Sequence, residues 1–128
     1  MEDTYLREAI QQAKAGKQRV ILVVKGWRPM YQPNSTNGYG NYFRILPNHG
    51  DRNFTVREVC ELEGIDPQTI QDTYFPEREP ELSEAEAVEE FERRRQAVTN
   101  LFPFPTIQWV GGNDVGDPLE LGTFTKQV

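Results

Sequence analysis

Covalent catalysis needs an activated serine or cysteine beside a base, and the sequence offers one histidine and one cysteine. His49 lies in the turn-rich segment PNHGD, where Asp51 could orient it as a general base. A histidine in a turn is usually solvated, whereas catalytic groups are perturbed by burial and by partners. Cys60 falls among apolar residues at helical spacing, which indicates a core position. We therefore predict no catalytic residue and a protein that is not an enzyme; a site built on His49, Asp51 and a loop carboxylate is the alternative.

A loose group of carboxylates stands near the C-terminus. Asp114, Asp117 and Glu120 in NDVGDPLE are oxygen donors of the kind that calcium binds, but they fit no EF-hand spacing. Sites for softer metals need three or four converging His, Cys or carboxylate ligands. GWRPMYQ and NGYGNYF lack the spacing of a phosphate-binding glycine loop. The sequence predicts a hairpin turn here, no metal site and no cofactor.

The segment 27–44 combines aromatic and cationic side chains with Pro, Gly and Asn, a composition that indicates a long loop. Long polar loops in small domains are often functional. Aromatic and arginine side chains suit contacts with peptides, proteins or single-stranded nucleic acids. We predict that this loop binds a partner, with a protein favoured, through six side chains: Trp27, Arg28, Tyr31, Tyr39, Tyr42 and Arg44.

The stretch FTVREVCELEGIDPQTIQ, residues 54–71, predicts two short helices joined by a glycine turn. Thr55 can start the first helix, and the small Cys60 lets the second helix approach it. Gly64 supplies a left-handed turn, and Asp66 caps the second helix with Pro67 at its first position. The local pattern therefore predicts a helical corner, which we interpret first as a unit that packs on a sheet.

In these spacings, residues 55–73 resemble the helix-turn-helix of repressor-type regulators, including the LacI and MerR groups. The resemblance implies a recognition helix whose groove-facing side carries Gln68, Gln71 and Asp72. It covers 19 of the 128 residues. Such regulators usually place basic residues around the motif, because phosphate contact supplies much of their affinity. The glutamates and aspartates around this stretch disfavour DNA, and a DNA-binding regulator is kept as the alternative.

Charge is unevenly distributed along the chain, whose formal net charge is -6. Residues 1–50 carry seven Lys or Arg and three acids, while residues 51–100 carry six and fourteen. The first part is therefore the better candidate for contact with anionic groups. The acidic helix predicted over residues 83–101 is a second candidate surface, which could meet a basic partner.

Hydrophobic periodicity predicts the elements that position these groups. DTYLREAIQQAKAG predicts a helix, and Val20–Lys25 with Tyr42–Leu46 predict an antiparallel pair. SEAEAVEEFERRRQAVTNLF predicts a long helix with a Ser83–Glu86 capping box. Its predicted apolar stripe comprises Val88, Phe91, Val98, Leu101 and Phe102. TIQWV and LELGTFTKQV predict a C-terminal hairpin. We expect one α+β domain over residues 1–128, with a small antiparallel sheet of about four strands packed with three to four helices.

Location is predicted from what the sequence lacks. The single Cys60 cannot form an internal disulfide, and the longest apolar run, Val20 to Val24, is five residues. The N-terminus MEDTYLREA lacks the basic start and apolar core of a secretory signal. We therefore expect a cytoplasmic protein without a membrane span.

Overall fold

A computed structural model of the chain describes residues 4–25, 41–47, 53–76, 80–112 and 118–127. Within these ranges the chain is α+β, as predicted. The elements in chain order are α1 Thr4–Lys14, β1 Arg19–Lys25, β2 Tyr42–Leu46, β3 Phe54–Thr55, α2 Val56–Glu63, α3 Pro67–Tyr74, α4 Glu84–Leu101, β4 Thr106–Gly112 and β5 Pro118–Thr125.

The five strands form one mixed sheet in the order β3-β2-β1-β4-β5. The predicted antiparallel pairs are confirmed: β1 pairs with β2, and β4 pairs with β5. The prediction of about four antiparallel strands is corrected in two respects. β3, with two residues, is a fifth strand too short to show periodicity, and β1 pairs with β4 in parallel through Ile21–Gln108 and Leu22–Trp109. Parallel pairing joins segments far apart in sequence, so local patterns do not reveal it.

The four described helices share one hydrophobic core with one face of the sheet. Each helix contributes buried residues to it, for example Leu6 of α1, Cys60 of α2, Ile70 of α3 and Val98 of α4. Alternate strand residues complete the core: Val20, Leu22 and Val24 of β1, Phe43 and Ile45 of β2, and Ile107 and Trp109 of β4. Because side chains alternate across a strand, the residues between them lie on the opposite face of the sheet.

The long helix α4 begins at the predicted capping box, in which Ser83 Oγ accepts from Glu86 N and Glu86 Oε1 accepts from Ser83 N. Its predicted apolar stripe is confirmed at Val98 and Phe102, which are completely buried, and is wrong at two other positions. Val88 is 57% exposed and Leu101 is 38% exposed. The buried residues of α4 are Arg94, Val98 and Thr99, so the helix meets the core through its C-terminal half. Its first turns extend beyond the core, where spacing alone does not ensure burial.

No helix in the described ranges is long and apolar enough to cross a bilayer.

Candidate functional site

The face of the sheet opposite the helices carries two of the six predicted contact residues. In the β1–β2 register Ile21 lies opposite Arg44, and Val23 lies opposite Tyr42. Arg44 is exposed and Tyr42 is half-buried. We call this surface the open face, and we define it by nine of its outward residues on four strands: Arg19, Ile21, Tyr42, Arg44, Thr106, Gln108, Val110, Glu120 and Thr123. Val23, opposite Tyr42 on the same face, is only 9% exposed.

The other four predicted contact residues, Trp27, Arg28, Tyr31 and Tyr39, lie outside the described residues. The described residues nearest to these four have defined places: β1 ends at Lys25, and Asn41 directly precedes β2. Because β1 and β2 are antiparallel neighbours, Lys25 and Asn41 lie at the same end of the sheet.

A chain of polar contacts crosses three strands on the open face. Arg19 of β1 donates from Nε to Gln108 Oε1 of β4 at 3.1 Å, and its Nη2 donates to the same oxygen. Gln108 Nε2 then donates to Glu120 Oε2 of β5 at 2.8 Å. The second carboxylate oxygen of Glu120 accepts from the main-chain N–H of Gly122 at 3.1 Å. These contacts hold the guanidinium of Arg19 in a defined orientation.

Sequence reasoning missed this network, although a partial signal existed. The alternation of TIQWV puts Gln108 on the side away from the core. Its contact with Arg19 depends on the parallel β1–β4 pairing, which brings together residues 89 positions apart. Glu120, considered as a calcium ligand, instead bonds Gln108 and Gly122, and its two companions Asp114 and Asp117 lie outside the described residues.

The helical corner is present as predicted. Thr55 Oγ1 accepts a hydrogen bond from Glu58 N at 3.1 Å, and Glu58 Oε1 accepts one from Thr55 N at 3.0 Å. The two bonds form a capping box. Gly64 has a left-handed backbone with φ 69°, and Asp66 caps α3 with Pro67 at its first turn.

The three residues that the resemblance would place against DNA lie on α3. Gln68 and Asp72 are exposed and Gln71 is half-buried. Gln68 Nε2 donates to Asp72 Oδ1 at 2.8 Å, so the Gln68 amide already has a carboxylate partner. On α2, Arg57 pairs with Glu61 at 3.0 Å. The electrostatic surroundings are therefore acidic, as the sequence indicated.

Cys60 is completely buried in the core, which confirms its interpretation as a packing residue. Burial raises the pKa of its thiol to about 12, with smaller contributions from Asp66 and Glu61. A thiol with such a pKa is protonated at neutral pH and is a poor nucleophile. His49 and Asp51, the alternative catalytic pair, lie outside the described residues. Among the residues described, no group of three or more His, Cys, Asp or Glu is arranged to hold a metal ion.

On α4, Arg94 Nε lies 3.0 Å from Glu90 Oε1, and Arg93 also pairs with Glu90. Hydrogen bonds from Arg93 and Arg94 lower the pKa of Glu90. Arg94 is 3% exposed and also donates to the main-chain oxygen of Tyr74 at 3.3 Å. Arg94 therefore joins α4 to the end of α3.

No family model matches the chain, and neither a curated protein nor a solved structure matches it.

Proposed function

We propose that the chain is a non-enzymatic, cytoplasmic binding protein that holds a partner protein on the open face of its sheet, together with the segment 27–44. One observation carries the proposal: all four described helices pack on the same face of the sheet, and Tyr42 and Arg44 lie on the other. Within the described part of the chain no helix packs on that second face, and its strands hold the side chains of Tyr42 and Arg44 in fixed places.

The composition of the open face supports this role. Ile21 and Val110 are half-buried apolar residues on adjacent strands. Arg44 lies opposite Ile21, and Tyr42 lies opposite Val23, the neighbour of Val110. Tyrosine and arginine are enriched where binding energy concentrates, since each combines a large contact area with hydrogen-bond donors. The apolar centre and polar rim are the arrangement of a protein–protein contact.

Charge supports a partner with acidic groups. The open face carries the cations Arg19 and Arg44 and one carboxylate, Glu120, which is engaged by Gln108 and Gly122. The helix layer has the opposite sign, because α2, α3 and α4 together contain nine acids and four arginines. An acidic patch would therefore be steered towards the sheet and away from the helices.

The acidic helix, residues 83–101, is a second contact region in this proposal. Leu82 and Val88 are exposed at its start, at 38% and 57%. Glu84, Glu86 and Glu89 are exposed around them. A basic partner segment is the chemistry that this region fits.

Charge reversal of one exposed arginine tests the proposal. Arg44→Glu changes the open face without touching the core, and Arg57→Glu makes the same change on α2, on the other side of the sheet. In a quantitative pull-down from native lysate, proteins retained by the wild type and by Arg57→Glu should be lost from Arg44→Glu. Retention of the same proteins by Arg44→Glu, with its thermal unfolding unchanged, would contradict the proposal.

Alanine substitution at Trp27, Tyr31 and Tyr39 tests the contribution of the loop. The triple variant should lose the same proteins as Arg44→Glu without unfolding the domain. If it retains all of them, segment 27–44 is not part of the surface.

A DNA-binding regulator is the second candidate, favoured by the helical corner with its left-handed Gly64 and exposed Gln68. A fluorescence titration on genomic DNA fragments over a range of salt concentrations decides it. If basic side chains neutralise DNA phosphates, the affinity for DNA must fall as the salt concentration rises. Gln68→Ala should then reduce the preference for one DNA sequence over another. No binding at low salt would end this alternative.

A further inference from the structure

A notch of about 200 Å³ lies at the end of the sheet where the parallel strands β1 and β4 begin. The turn after α1 and the start of β4 form its sides, and four residues of the open face line it: Arg19, Thr106, Gln108 and Thr123. Five of its lining residues are polar: Gln18, Arg19, Thr106, Gln108 and Thr123. Sites for drug-sized ligands are usually larger, about 300–1,000 Å³, so this notch suits a group the size of one amino-acid residue.

Arg19 supplies the charge in the notch. Two of its five N–H groups are directed at Gln108 Oε1. The N–H groups that remain include one on each of the two Nη atoms, along the edge of the guanidinium that matches the two oxygens of a carboxylate. Gln108 is itself held by Glu120 at 2.8 Å, so Arg19 is oriented before any ligand arrives. Preorganisation of this kind lowers the entropy cost of binding.

Gln18 supplies an acceptor in the wall of the notch. Its Oε1 is buried, and within the described part of the chain it has no hydrogen-bond partner. An enclosed acceptor without a partner costs about 1–3 kcal/mol. A rotation of the side-chain amide towards the notch would let this oxygen accept from an N–H group of a ligand.

We propose that the notch binds the C-terminal carboxylate of a partner polypeptide. In this arrangement Arg19 donates two parallel hydrogen bonds to the carboxylate, and Gln18 Oε1 accepts from the main-chain N–H of the same terminal residue. A peptide terminus is the ligand class that carries a carboxylate and an amide N–H on one carbon atom, in a volume that the notch accommodates. The inference rests on the proposed function and deepens it, since a chain lying on the open face would end in the notch.

Amide-detected NMR titration of the full chain tests the proposal with N-acetyl-alanyl-alanine as the probe. The peptide acid should shift the amide signals of Gln18, Arg19, Thr106 and Thr123. Its C-terminal amide, which keeps the N–H and loses the charge, should bind at least about tenfold more weakly. Equal shifts from acid and amide, no shift from either, or inorganic phosphate binding as tightly as the peptide would each overturn the proposal.

Three variants separate the roles of the two residues. Arg19→Gln should weaken binding of the peptide acid by about tenfold or more, whereas Arg93→Gln, which removes the same charge from exposed α4, should not. Gln18→Met keeps the length of the side chain and removes the acceptor, so it should weaken the peptide acid while leaving acetate unchanged. Loss of acetate binding in Gln18→Met would contradict its assigned role.

Failure of this test is distinguishable from failure of the proposed function. If the peptide acid does not bind but Arg44→Glu still loses its protein partners, the notch proposal is wrong and the open face stands. If Arg44→Glu loses none, the proposed function is wrong whatever the peptide does.

Discussion

The indole N–H of Trp109 donates a hydrogen bond of 3.0 Å to Thr99 Oγ1 inside the core. Trp109 lies in β4 and Thr99 in α4, and both are completely buried. The bond therefore joins α4 to the covered face of the sheet, and Tyr42 and Arg44 lie on the opposite face.

Thr99→Val should destabilise the domain while preserving its shape. Valine has nearly the volume of threonine, but it cannot accept a hydrogen bond, so the Trp109 N–H becomes a buried donor without a partner. We expect a loss of about 1–3 kcal/mol in the free energy of unfolding, measured by urea denaturation. Thr123→Val, at an exposed site on β5, serves as the control and should change it by less than about 0.5 kcal/mol. Equal effects of the two variants would show that the buried bond contributes nothing.

Arg94→Ala should destabilise the domain more than Arg93→Ala. Arg94 is 3% exposed and bonds Tyr74 O, whereas the Arg93 side chain is 70% exposed. Removal of Arg94 loses packing of its stem and a buried hydrogen bond, for which we expect about 2 kcal/mol. Arg94→Met retains the packing and removes the buried charge, so it should lie closer to the wild type. Thermal denaturation of the three variants checks the order, and an Arg93→Ala effect as large as that of Arg94→Ala would contradict it.

Cys60 should resist thiol reagents in the folded protein. Its pKa of about 12 leaves almost no thiolate at pH 8, and its side chain is completely buried. Reaction with Ellman's reagent should therefore be at least about a hundredfold slower than in the urea-unfolded chain, because the thiolate is the reacting form. Rapid reaction under native conditions would mean that α2 and α3 separate readily, and it would contradict the packing described for the helical corner.

The folded protein should lose stability in acid as the glutamates Glu86 and Glu90 of α4 become protonated. Hydrogen bonds from Arg93 and Arg94 lower the pKa of Glu90, and bonds with Ser83 lower the pKa of Glu86, from an ordinary value of 4.5. A carboxyl group whose pKa is lower in the folded state than in the unfolded state stabilises the fold. This contribution is complete at a pH above the unfolded-state pKa, and it is lost as the pH falls through the folded-state pKa. Stability should thus decline below about pH 4.5, and Glu90→Gln should make the decline shallower. An identical pH profile for Glu90→Gln would contradict the assignment.

Local patterns predicted most of the elements. Helix caps act within a few positions of sequence, so the helices that begin or end at them were predictable. These caps are Thr55, Asp66 and Ser83 at helix starts and the left-handed Gly64 at a helix end. The antiparallel neighbours β1–β2 and β4–β5 were predictable as well, because their apolar runs follow each other in the chain.

Long-range relationships were not predictable from the same patterns. The parallel β1–β4 pair, the burial of Arg94 and the Trp109–Thr99 bond each depend on how distant segments pack. The alternation of apolar and polar residues along the strands did predict that side chains such as Arg44 and Gln108 face away from the core. Which of them become neighbours follows from strand order, and for that reason the sequence did not reveal the Arg19–Gln108–Glu120 network or the notch beside it.

Site-specific photo-crosslinking tests the central claim, that the open face holds the partner, most directly. Benzoylphenylalanine placed at position 44 should capture a partner protein on irradiation in native lysate, whereas the same group at position 57 on α2 should capture none. Capture from position 57 with none from position 44 would contradict the account.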